Sequence, residues 1–466
     1  MTPSGWLWLL PELWLSLLIF VLLGLDLRWK EEGKHSALAV TAGLGTLLVL
    51  PILFWQRSAG AADLMGGMYR MDSLALFFKG IFAVSAALVI LMTRQMEQTL
   101  PRAHGEFYVL LLTATLGMFL AASSANFLML FVSLELIAIT FYVLTSYLQT
   151  DLKSLEAGLK YLVLGSLASG FFLYGIAFVY GSTGSTQFSA IRSFVQNQPA
   201  LSPALLFGLI LILGGAAFKV AAVPFQLWAP DVYQGAPTSV AAFLSVGSKA
   251  AGFVVALRVF HELFFHQAQH WSALIAWLAG LTILYGNLGA IPQTNIKRLL
   301  GYSSIGHAGY ILIGIAASTA LGSMAANFYL LSYLFTNLAV FLVVAAFYRH
   351  VGSDEMRDYA GLSQRSPFLA AVMFLSLLSL AGVPPLAGFF GKFLLLMSAV
   401  WQGYLWLAIV GAAAVVISLY YYLLLVKTMY VDPPTDSTPI PVAIPVRIAL
   451  YACLLGMLGI GIWQEP

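Results

Sequence analysis

Long apolar runs follow one another along almost the whole chain, and they constrain the fold more than any other feature. A helix needs about 20 mostly apolar residues to cross the hydrocarbon core of a bilayer. Hydrophobic residues make up 61% of the chain and charged residues only 9%, so the apolar surface exceeds what a soluble domain can bury. The sequence therefore predicts an all-α polytopic membrane protein with about fourteen transmembrane helices. They lie near residues 6–27, 36–55, 72–93, 107–123, 125–147, 158–180, 202–228, 238–260, 272–292, 299–317, 322–348, 367–398, 403–427 and 443–463.

The predicted helices form a single membrane domain over residues 1–466. No stretch of low complexity divides the chain. The first apolar run follows no positively charged segment and precedes no small-residue cleavage site, which favours a retained helix over a removable signal peptide. The net charge of +3 is spread over connecting loops without a basic run, which argues against nucleic acid as a partner. The lipid bilayer is the partner that the apolar runs imply.

Lysine and arginine residues are concentrated in every second connection between the predicted helices. The four in the even-numbered connections are Arg57, Arg70, Arg192 and Arg258. The thirteen in the odd-numbered connections and adjoining helix ends are Arg28, Lys30, Lys34, Arg94, Arg102, Lys153, Lys297, Arg298, Arg349, Arg357, Arg365, Lys427 and Arg447. Because positive residues accumulate on the cytoplasmic side of membrane proteins, the odd-numbered connections are predicted to be cytoplasmic. Both termini then lie outside the cytoplasm.

Prolines interrupt two of the predicted helices, at Pro224 in AAFKVAAVPFQLWAP and at Pro384-Pro385 in SLAGVPPLAGFFGKF. Proline removes a backbone donor and opens a helix. Broken helices at corresponding positions in two halves of a transporter indicate an inverted repeat with a site near the membrane midplane. The breaks lie five helices apart, which predicts repeat one over 107–260 and repeat two over 272–427. Helices one to three precede them at 6–93, and a last helix follows at 443–463. Two simple packing kinks are the alternative.

Ionisable side chains inside the apolar runs form the candidate site. A charged group at the centre of a membrane helix costs roughly 2.5–3.5 kcal/mol, so such groups face a partner or a water-filled path. Glu135 lies near the middle of the fifth helix, and Lys219 precedes the first proline break by five residues. Pairing between them would make the proton affinity of each depend on the other, and a static ion pair is the alternative. The further lysines are Lys79, Lys160, Lys249 and Lys392.

These further lysines differ in how strongly their surroundings favour proton transfer. Lys249 follows the small residues Ser245, Gly247 and Ser248, which leave room for water, and Lys392 follows the second break by two turns. Both are predicted to relay protons, with a structural counter-charge as the alternative for Lys392. Lys160 lies near the start of the sixth helix, where a snorkelling lysine is the alternative. Lys79 lies outside both repeats, and pairing with a neighbour or snorkelling is the favoured interpretation.

His307, in the run YSSIGHAGY, is the histidine best placed for proton transfer. Ser303, Ser304 and Tyr310 lie four before, three before and three after it, so their hydroxyls share its helix face. Imidazole both accepts and donates a proton near neutral pH. A relay role is therefore a hypothesis, with a hydrogen-bonded packing role as its alternative.

Several classes of chemistry lack their sequence signatures. The single cysteine, Cys453, excludes a disulfide framework and cysteine-held iron–sulfur clusters within this chain. His261, His266 and His270 fall at a loop with a spacing that is only a weak metal signal, so no metal site is predicted. There is no convincing strand, and no glycine-rich phosphate loop or nucleotide fingerprint occurs. We expect no bound cofactor and no redox centre on this chain.

Four long motifs resemble subunit N of NADH-quinone oxidoreductase, respiratory complex I. They are SLEAGLKYLVLGSLASGFFLYGIAFVYGSTG, VPFQLWAPDVYQGAPTSVAAFLSVGSKAAGF, NIKRLLGYSSIGHAGY and GVPPLAGFFGKF. The resemblance extends from PELWL at 11–15 to the thirteenth helix. It implies an antiporter-like fold of fourteen helices with two inverted five-helix repeats and broken seventh and twelfth helices. By motif, the family's channel residues fall on Glu135, Lys160, Lys219, Lys249 and Lys392. The family commonly has histidine in PFHxW, where this chain has Gln226, which cannot take up a proton.

The resemblance implies a proton-translocating subunit in the membrane arm of the complex, driven by quinone reduction elsewhere. Its partners would be the other membrane-arm subunits and the lipid of a bacterial inner (plasma) membrane. NADH, FMN, iron–sulfur clusters and quinone would belong to the parent complex. Two alternatives remain: a subunit of a multisubunit sodium/proton antiporter, and a scaffold subunit whose buried charges only hold helices together.

Overall fold

The computed structural model describes residues 3–28, 34–58, 60–94, 104–198, 200–434 and 436–463. Lys30 and Arg102, which contribute to the predicted charge asymmetry, lie outside these ranges. Over the described residues, thirteen helical segments are long and apolar enough to cross a membrane. The twelfth predicted helix is present as two shorter apolar helices, Pro367–Ala381 and Ala387–Trp401. The prediction of an all-α polytopic membrane protein is confirmed.

The helices of the first half are α1 (Leu10–Arg28), α2 (Lys34–Leu47), α3 (Val49–Ser58), α4 (Ser73–Thr93), α5 (His104–Ala122), α6 (Phe127–Thr145), α7 (Leu152–Thr183), α8 (Phe188–Gln196), α9 (Pro203–Val220), α10 (Trp228–Gly235), α11 (Thr238–Phe243) and α12 (Lys249–Ala256). Those of the second half are α13 (Ala268–Ala290), α14 (Ile296–Ala316), α15 (Ala320–Val351), α16 (Leu362–Arg365), α17 (Pro367–Ala381), α18 (Ala387–Trp401), α19 (Leu405–Tyr430) and α20 (Ile444–Ile462). Leu244–Ser248 and Leu257–Leu263 are π-helical turns on either side of α12. Short 3-10 turns are formed by Pro3–Leu9, Met65–Gly67, Phe265–Gln267 and Met356–Tyr359.

Two short strands contradict the expectation of no strand. β1 (Ala62–Leu64) and β2 (Tyr69–Met71) pair antiparallel in the connection before α4, with Asp63 opposite Arg70. Three residues are too few for an alternation of apolar and polar side chains to mark a strand in the sequence. The turn between them contains Gly66 and Gly67, both with positive φ, a conformation that glycine adopts without steric cost.

The contacts divide the chain into two compact units. The first contains Met1–Ile90, Leu100–Val220 and Gly247–His270. The second contains Leu91–Thr99, Ala221–Val246 and Trp271–Pro466. In the second unit α14 and α15 form the interior, since 94% and 89% of their apolar stretches are buried. The predicted single domain and the predicted repeat boundaries stay predictions.

Several local features occur once in each predicted repeat. Asn126 pairs with Gln187 in an isolated antiparallel bridge, and Asn295 pairs with Glu355 in the same way. Each asparagine side chain caps the helix that follows it by accepting a backbone hydrogen bond, of 2.8 Å at Asn126 and 3.1 Å at Asn295. The next long helix has 32 residues in both cases, α7 and α15, and ends at a left-handed glycine. These recurrences support the predicted repeat.

Both interrupted helices break in the same local way. The residue after the first half-helix has a left-handed backbone, with φ of 58° at Ala221 and 90° at Gly382. Three residues after this position is a proline whose preceding peptide bond is cis. The two cis bonds are Val223-Pro224 and Pro384-Pro385. A short connection then leads to the second half, α10 or α18. The two broken helices predicted from the prolines are confirmed.

Candidate functional site

Glu135 and Lys219 line one small cavity in the first unit. Glu135 is on α6 and Lys219 is in the last turn of α9, while Ser169 on α7 donates a short hydrogen bond to Glu135 Oε1. The other lining residues are Phe131, Leu134, Ala168, Phe172 and Gly215. The cavity measures about 10 Å³, which is about the room that one water molecule needs. The structure therefore brings the two predicted residues to a single cavity.

Lys219 is buried, and only 6% of its surface is exposed. No described residue accepts a hydrogen bond from its Nζ. Desolvation of an ammonium costs several kcal/mol unless an opposite charge and acceptors compensate. The Glu135 carboxylate acts on it electrostatically and provides the opposite charge.

Lys249 lies on the helix that packs against Lys219. It is the first residue of α12, is buried, and directly follows a π-helical turn, a feature frequent at functional sites. A Cβ added to Gly252 would lie 2.7 Å from Val220 Cγ1 and 3.2 Å from Lys219 Cβ. Because residues three apart share a helix face, Lys249 is on the face of α12 that contacts the end of α9.

Lys392 binds the end of a half-helix in the second unit. Its Nζ donates to the carbonyl oxygens of Leu380 and Ala381, at 2.8 and 3.1 Å, and lies 4.7 Å from the centre of the Tyr310 ring. The last carbonyls of a helix have no partner within the helix and carry its negative dipole end. The break after Ala381 thus supplies the acceptors for a buried ammonium.

His307 takes part in a buried hydrogen-bond network in the second unit. Its Nδ1 lies 2.6 Å from the Tyr329 hydroxyl and its Nε2 3.2 Å from the Tyr422 hydroxyl. Ser303 shares a further short hydrogen bond with Tyr422. The hydroxyl groups closest to the His307 ring nitrogens therefore include two from other helices, Tyr329 on α15 and Tyr422 on α19, in addition to the neighbours predicted on α14. The Tyr310 ring, beside Lys392, also contacts the Tyr329 ring, with centres 6.5 Å apart.

Lys160 is placed away from the cavity of Glu135 and Lys219. It forms an ion pair of 2.7 Å with Glu156, four residues earlier on α7, and its side chain is 42% exposed. The cavity is lined from the same helix by Ala168 and Ser169, more than two turns further along. Lys160 therefore has a charge partner on its own helix, and a relay role of Lys160 stays a prediction.

Lys79 pairs with a carboxylate that the sequence did not single out. Its Nζ lies 2.7 Å from Glu12 Oε1 and 2.8 Å from the Tyr69 hydroxyl, with all three side chains buried. The favoured interpretation of pairing with a neighbour is confirmed. Gln226, at the position where the family has histidine, is buried, and its Oε1 has no hydrogen-bond partner among the described residues.

Over the described ranges, no three histidine, cysteine or carboxylate side chains are close enough together to hold a metal ion. His261 lies in the second π-helical turn, and His266 and His270 lie in or just after the 3-10 turn that follows it.

The spans, the two interrupted helices and the buried ammonium groups define an antiporter-like membrane protein. The family described as NADH:quinone oxidoreductase/Mrp antiporter, transmembrane, matches residues 124–418. NADH-quinone oxidoreductase subunit N of Moorella thermoacetica is 48% identical over 437 residues, which cover 94% of this chain and 91% of the relative. The chain therefore belongs to this family, among the subunit N proteins of NADH-quinone oxidoreductase.

Solved structures support the same assignment. A chain of respiratory complex I from Thermus thermophilus with bound aureothin is 31% identical, with a TM-score of 0.83 and 97% of each chain covered. A chain of the Mrp complex from Dietzia sp. DQ12-45-1b superposes with a TM-score of 0.85 and covers 99% of this chain and 95% of its own length. It is 21% identical, so it shows the shared fold alone.

Proposed function

We propose that this chain is a proton-translocating antiporter-like subunit in the membrane arm of a bacterial NADH:quinone oxidoreductase. It couples quinone reduction elsewhere in the complex to proton pumping. Support comes from the subunit N relatives and from the complex I chain that matches over 97% of both lengths. The observation that supports translocation most directly is the cavity in which Lys219, without a hydrogen-bond partner among the described residues, shares space with Glu135.

In the proposed mechanism, Glu135 sets the proton affinity of Lys219. The carboxylate favours the ammonium form while the two groups are close, because it supplies the charge that burial has removed from water. When Glu135 moves away, the ammonium loses that compensation and releases its proton. The hydrogen bond from Ser169 gives Glu135 a second partner, so the carboxylate has two alternatives between which it can shift.

The proton then passes through the remaining ionisable groups. Lys249 is the first acceptor, since it lies on the face of α12 that contacts the Lys219 helix. His307 and its two tyrosines transfer the proton onward, and Lys392 exchanges it with one side of the membrane. Gln226 can orient water but cannot take up a proton, so this chain uses no acid–base step at that position.

The surroundings of the chain are part of the proposal. The other membrane-arm subunits are its partners in the plasma membrane, and both of its termini lie outside the cytoplasm. NADH, FMN, iron–sulfur clusters and quinone are bound by other subunits, and this chain has no redox centre of its own. Cysteine-labelling accessibility at residues near each end, in intact cells, measures the proposed orientation.

Replacing Lys219 tests the relay. In the assembled complex reconstituted in proteoliposomes, Lys219→Ala should abolish proton pumping, measured as protons moved per electron pair. Lys427→Ala is the matched control, because that lysine is 63% exposed at the end of α19. Unchanged stoichiometry in Lys219→Ala would refute the role. If Lys219→Arg, which keeps the charge, pumped normally, a scaffold role would be supported instead, because guanidinium does not deprotonate in proteins.

A second candidate is a subunit of a sodium/proton antiporter, because the description of the matching family also names the Mrp antiporter. The run PDVYQGAPTSVAAFLS favours the oxidoreductase. The chain alone, reconstituted in vesicles with a sodium gradient, distinguishes the two. Sodium-dependent proton exchange would identify an antiporter, and its absence together with normal pumping in the complex would support the oxidoreductase.

A further inference from the structure

A second and larger cavity, of about 280 Å³, lies in the first unit. Its charged lining consists of Arg70 on β2, Arg192 on α8 and Glu262 in the π-helical turn that ends at Leu263. Ser189, Ser193 and Gln196 add polar groups from α8. The cavity is separate from the one that contains Glu135 and Lys219.

The location of this cavity indicates a membrane surface. β2 lies between the spans Ser36–Ser58 and Ser73–Thr93, and α8 lies between the spans Leu152–Thr183 and Pro203–Val220. Glu262 is at the end of the span Thr238–Leu263. All three segments belong to predicted even-numbered connections, so the charge pattern of the sequence assigns them to one side. Helix α8 buries Phe188, Ile191 and Val195 against the protein and exposes Ser189 and Arg192, which line the cavity.

The charges around the cavity are held in place by a network. Arg258 binds Asp72 through two nitrogens, at 2.6 and 2.7 Å, and donates to Glu262 Oε2 at 2.8 Å. Arg70 donates to Asp63 at 2.9 Å and, through a short contact, to Glu262 Oε1. Two arginines therefore fix the Glu262 carboxylate. A carboxylate has about four acceptor sites, so Glu262 keeps acceptor capacity for a ligand.

Arg192 is the cation left for a ligand. Its guanidinium is exposed and forms no ion pair with any residue in the described part of the chain. Ser189 and Ser193 lie three residues before and one residue after it on α8, and both line the same cavity. The Ser193 hydroxyl donates to the Ser189 carbonyl oxygen at 3.0 Å, so the Ser189 hydroxyl is the donor that remains for an anion. The cavity thus offers donors for an anion from α8, and Glu262 offers acceptors for a cation.

We propose that this cavity binds the headgroup of a zwitterionic phospholipid that carries a primary ammonium, as phosphatidylethanolamine does. The phosphate accepts hydrogen bonds from Arg192 and the Ser189 hydroxyl. The ammonium donates to Glu262.

The charge distribution selects among membrane lipids. A lipid with net negative charge, such as phosphatidylglycerol, has no cation for Glu262, and its hydroxyls offer that carboxylate only uncharged donors. Phosphatidylcholine has a cation without N–H groups, so it cannot hydrogen-bond to Glu262. Charge-assisted hydrogen bonds contribute about 1.5–3 kcal/mol each, so the preference for the primary ammonium should be about tenfold or more.

Native mass spectrometry of the delipidated full chain in detergent tests the proposal. The probes are dioleoyl phosphatidylethanolamine, phosphatidylcholine and phosphatidylglycerol, each titrated separately, and soluble phosphoethanolamine as a competitor. We expect one phosphatidylethanolamine bound about tenfold more tightly than the other two lipids. Arg192→Gln should remove that preference. Arg357→Gln, at a side chain that is 87% exposed elsewhere, is the control and should retain it.

Three results would overturn the proposal. Equal binding of the three lipids would show that the cavity does not distinguish their headgroups. Unchanged phosphatidylethanolamine binding in both Arg192→Gln and Ser189→Ala would show that the lipid binds elsewhere. Protection of the site by soluble phosphoethanolamine at the same concentration as the lipid would assign it to a free phosphate ester. Circular dichroism confirms that each variant is folded before the comparison.

Discussion

The buried pair of Glu12 and Lys79 should stabilise the first unit only as long as both partners are present. The Lys79 side chain is 0% and the Glu12 side chain 7% exposed, and their charged atoms are 2.7 Å apart. The Tyr69 hydroxyl lies 3.1 Å from both Glu12 oxygens. Removing one partner of a buried ion pair typically costs about 3–5 kcal/mol, because the other charge remains in a medium that solvates it poorly.

We therefore expect Lys79→Met to lower the free energy of unfolding by about 3–5 kcal/mol. The double variant Glu12→Leu with Lys79→Met should recover most of that loss, to within about 1–2 kcal/mol of the unchanged chain, because two apolar side chains replace two charges. Tyr69 then keeps a partner, since its hydroxyl also lies 3.2 Å from the Trp8 carbonyl oxygen.

Equilibrium unfolding of the full chain in mixed micelles, driven by sodium dodecyl sulfate and followed by circular dichroism, measures these free energies. Lys427→Met, at an exposed lysine, is the control for removing a positive charge and should change the free energy by less than about 0.5 kcal/mol. A cost below about 1 kcal/mol for Lys79→Met would refute the reasoning. So would a double variant no more stable than either single one.

Three further predictions concern other parts of the chain. Gly252→Val should lower the proton stoichiometry of the reconstituted complex, because the valine side chain would displace α9 at Lys219. Even a Cβ at position 252 would lie 3.2 Å from the Lys219 Cβ, so the smaller change Gly252→Ala should lower the stoichiometry less. Burial acts to raise the pKa of the Asp72 carboxyl, but the hydrogen bonds and charge of Arg258 outweigh it, and this pKa lies below its ordinary value. The ionised Asp72 carboxylate therefore stabilises the folded protein fully at pH values above the ordinary carboxyl pKa, and this stabilisation is lost as the pH falls through the lowered pKa of the folded state. Asp72→Asn should consequently flatten the acid side of a plot of melting temperature against pH. Lys392→Met should lower the free energy of unfolding by about 1–3 kcal/mol, because it leaves two buried carbonyl oxygens at the end of α17 without their donor, and unfolding in mixed micelles checks this.

The sequence predicts those parts of the fold that depend on local composition. Runs of apolar residues define spans because a bilayer imposes the same length on each of them. Prolines identify both broken helices because their effect on the backbone does not depend on the rest of the fold. Glu135 and Lys219 could be paired because only a few ionisable groups occur within the apolar runs of the first repeat, and the structure places both at one cavity.

Other parts depend on contacts between distant segments, for which the sequence has no local signal. Glu12 lies close to the start of the first apolar run, where a carboxylate is normally solvated, and only the fold brings it to Lys79, 67 residues later. Tyr329 and Tyr422 resemble ordinary aromatic packing residues, although they bind both nitrogens of His307. Treating every tyrosine in an apolar helix as a candidate hydrogen-bond partner would have included these two, but it would not have separated them from the other tyrosines.

The two broken helices place their buried lysines differently relative to the ends of the half-helices. A buried ammonium is stabilised by the negative end of a helix, and each break creates such an end inside the apolar part of the chain. Lys219 belongs to the half-helix that ends, whereas Lys392 belongs to the half-helix that follows and reaches back to its predecessor. Lys392 consequently has two carbonyl acceptors, while Lys219 has none among the described residues. In the proposed mechanism, Lys219 is therefore the group whose charge Glu135 can switch, because the carboxylate is its compensating charge and no carbonyl acceptor among the described residues holds it in place.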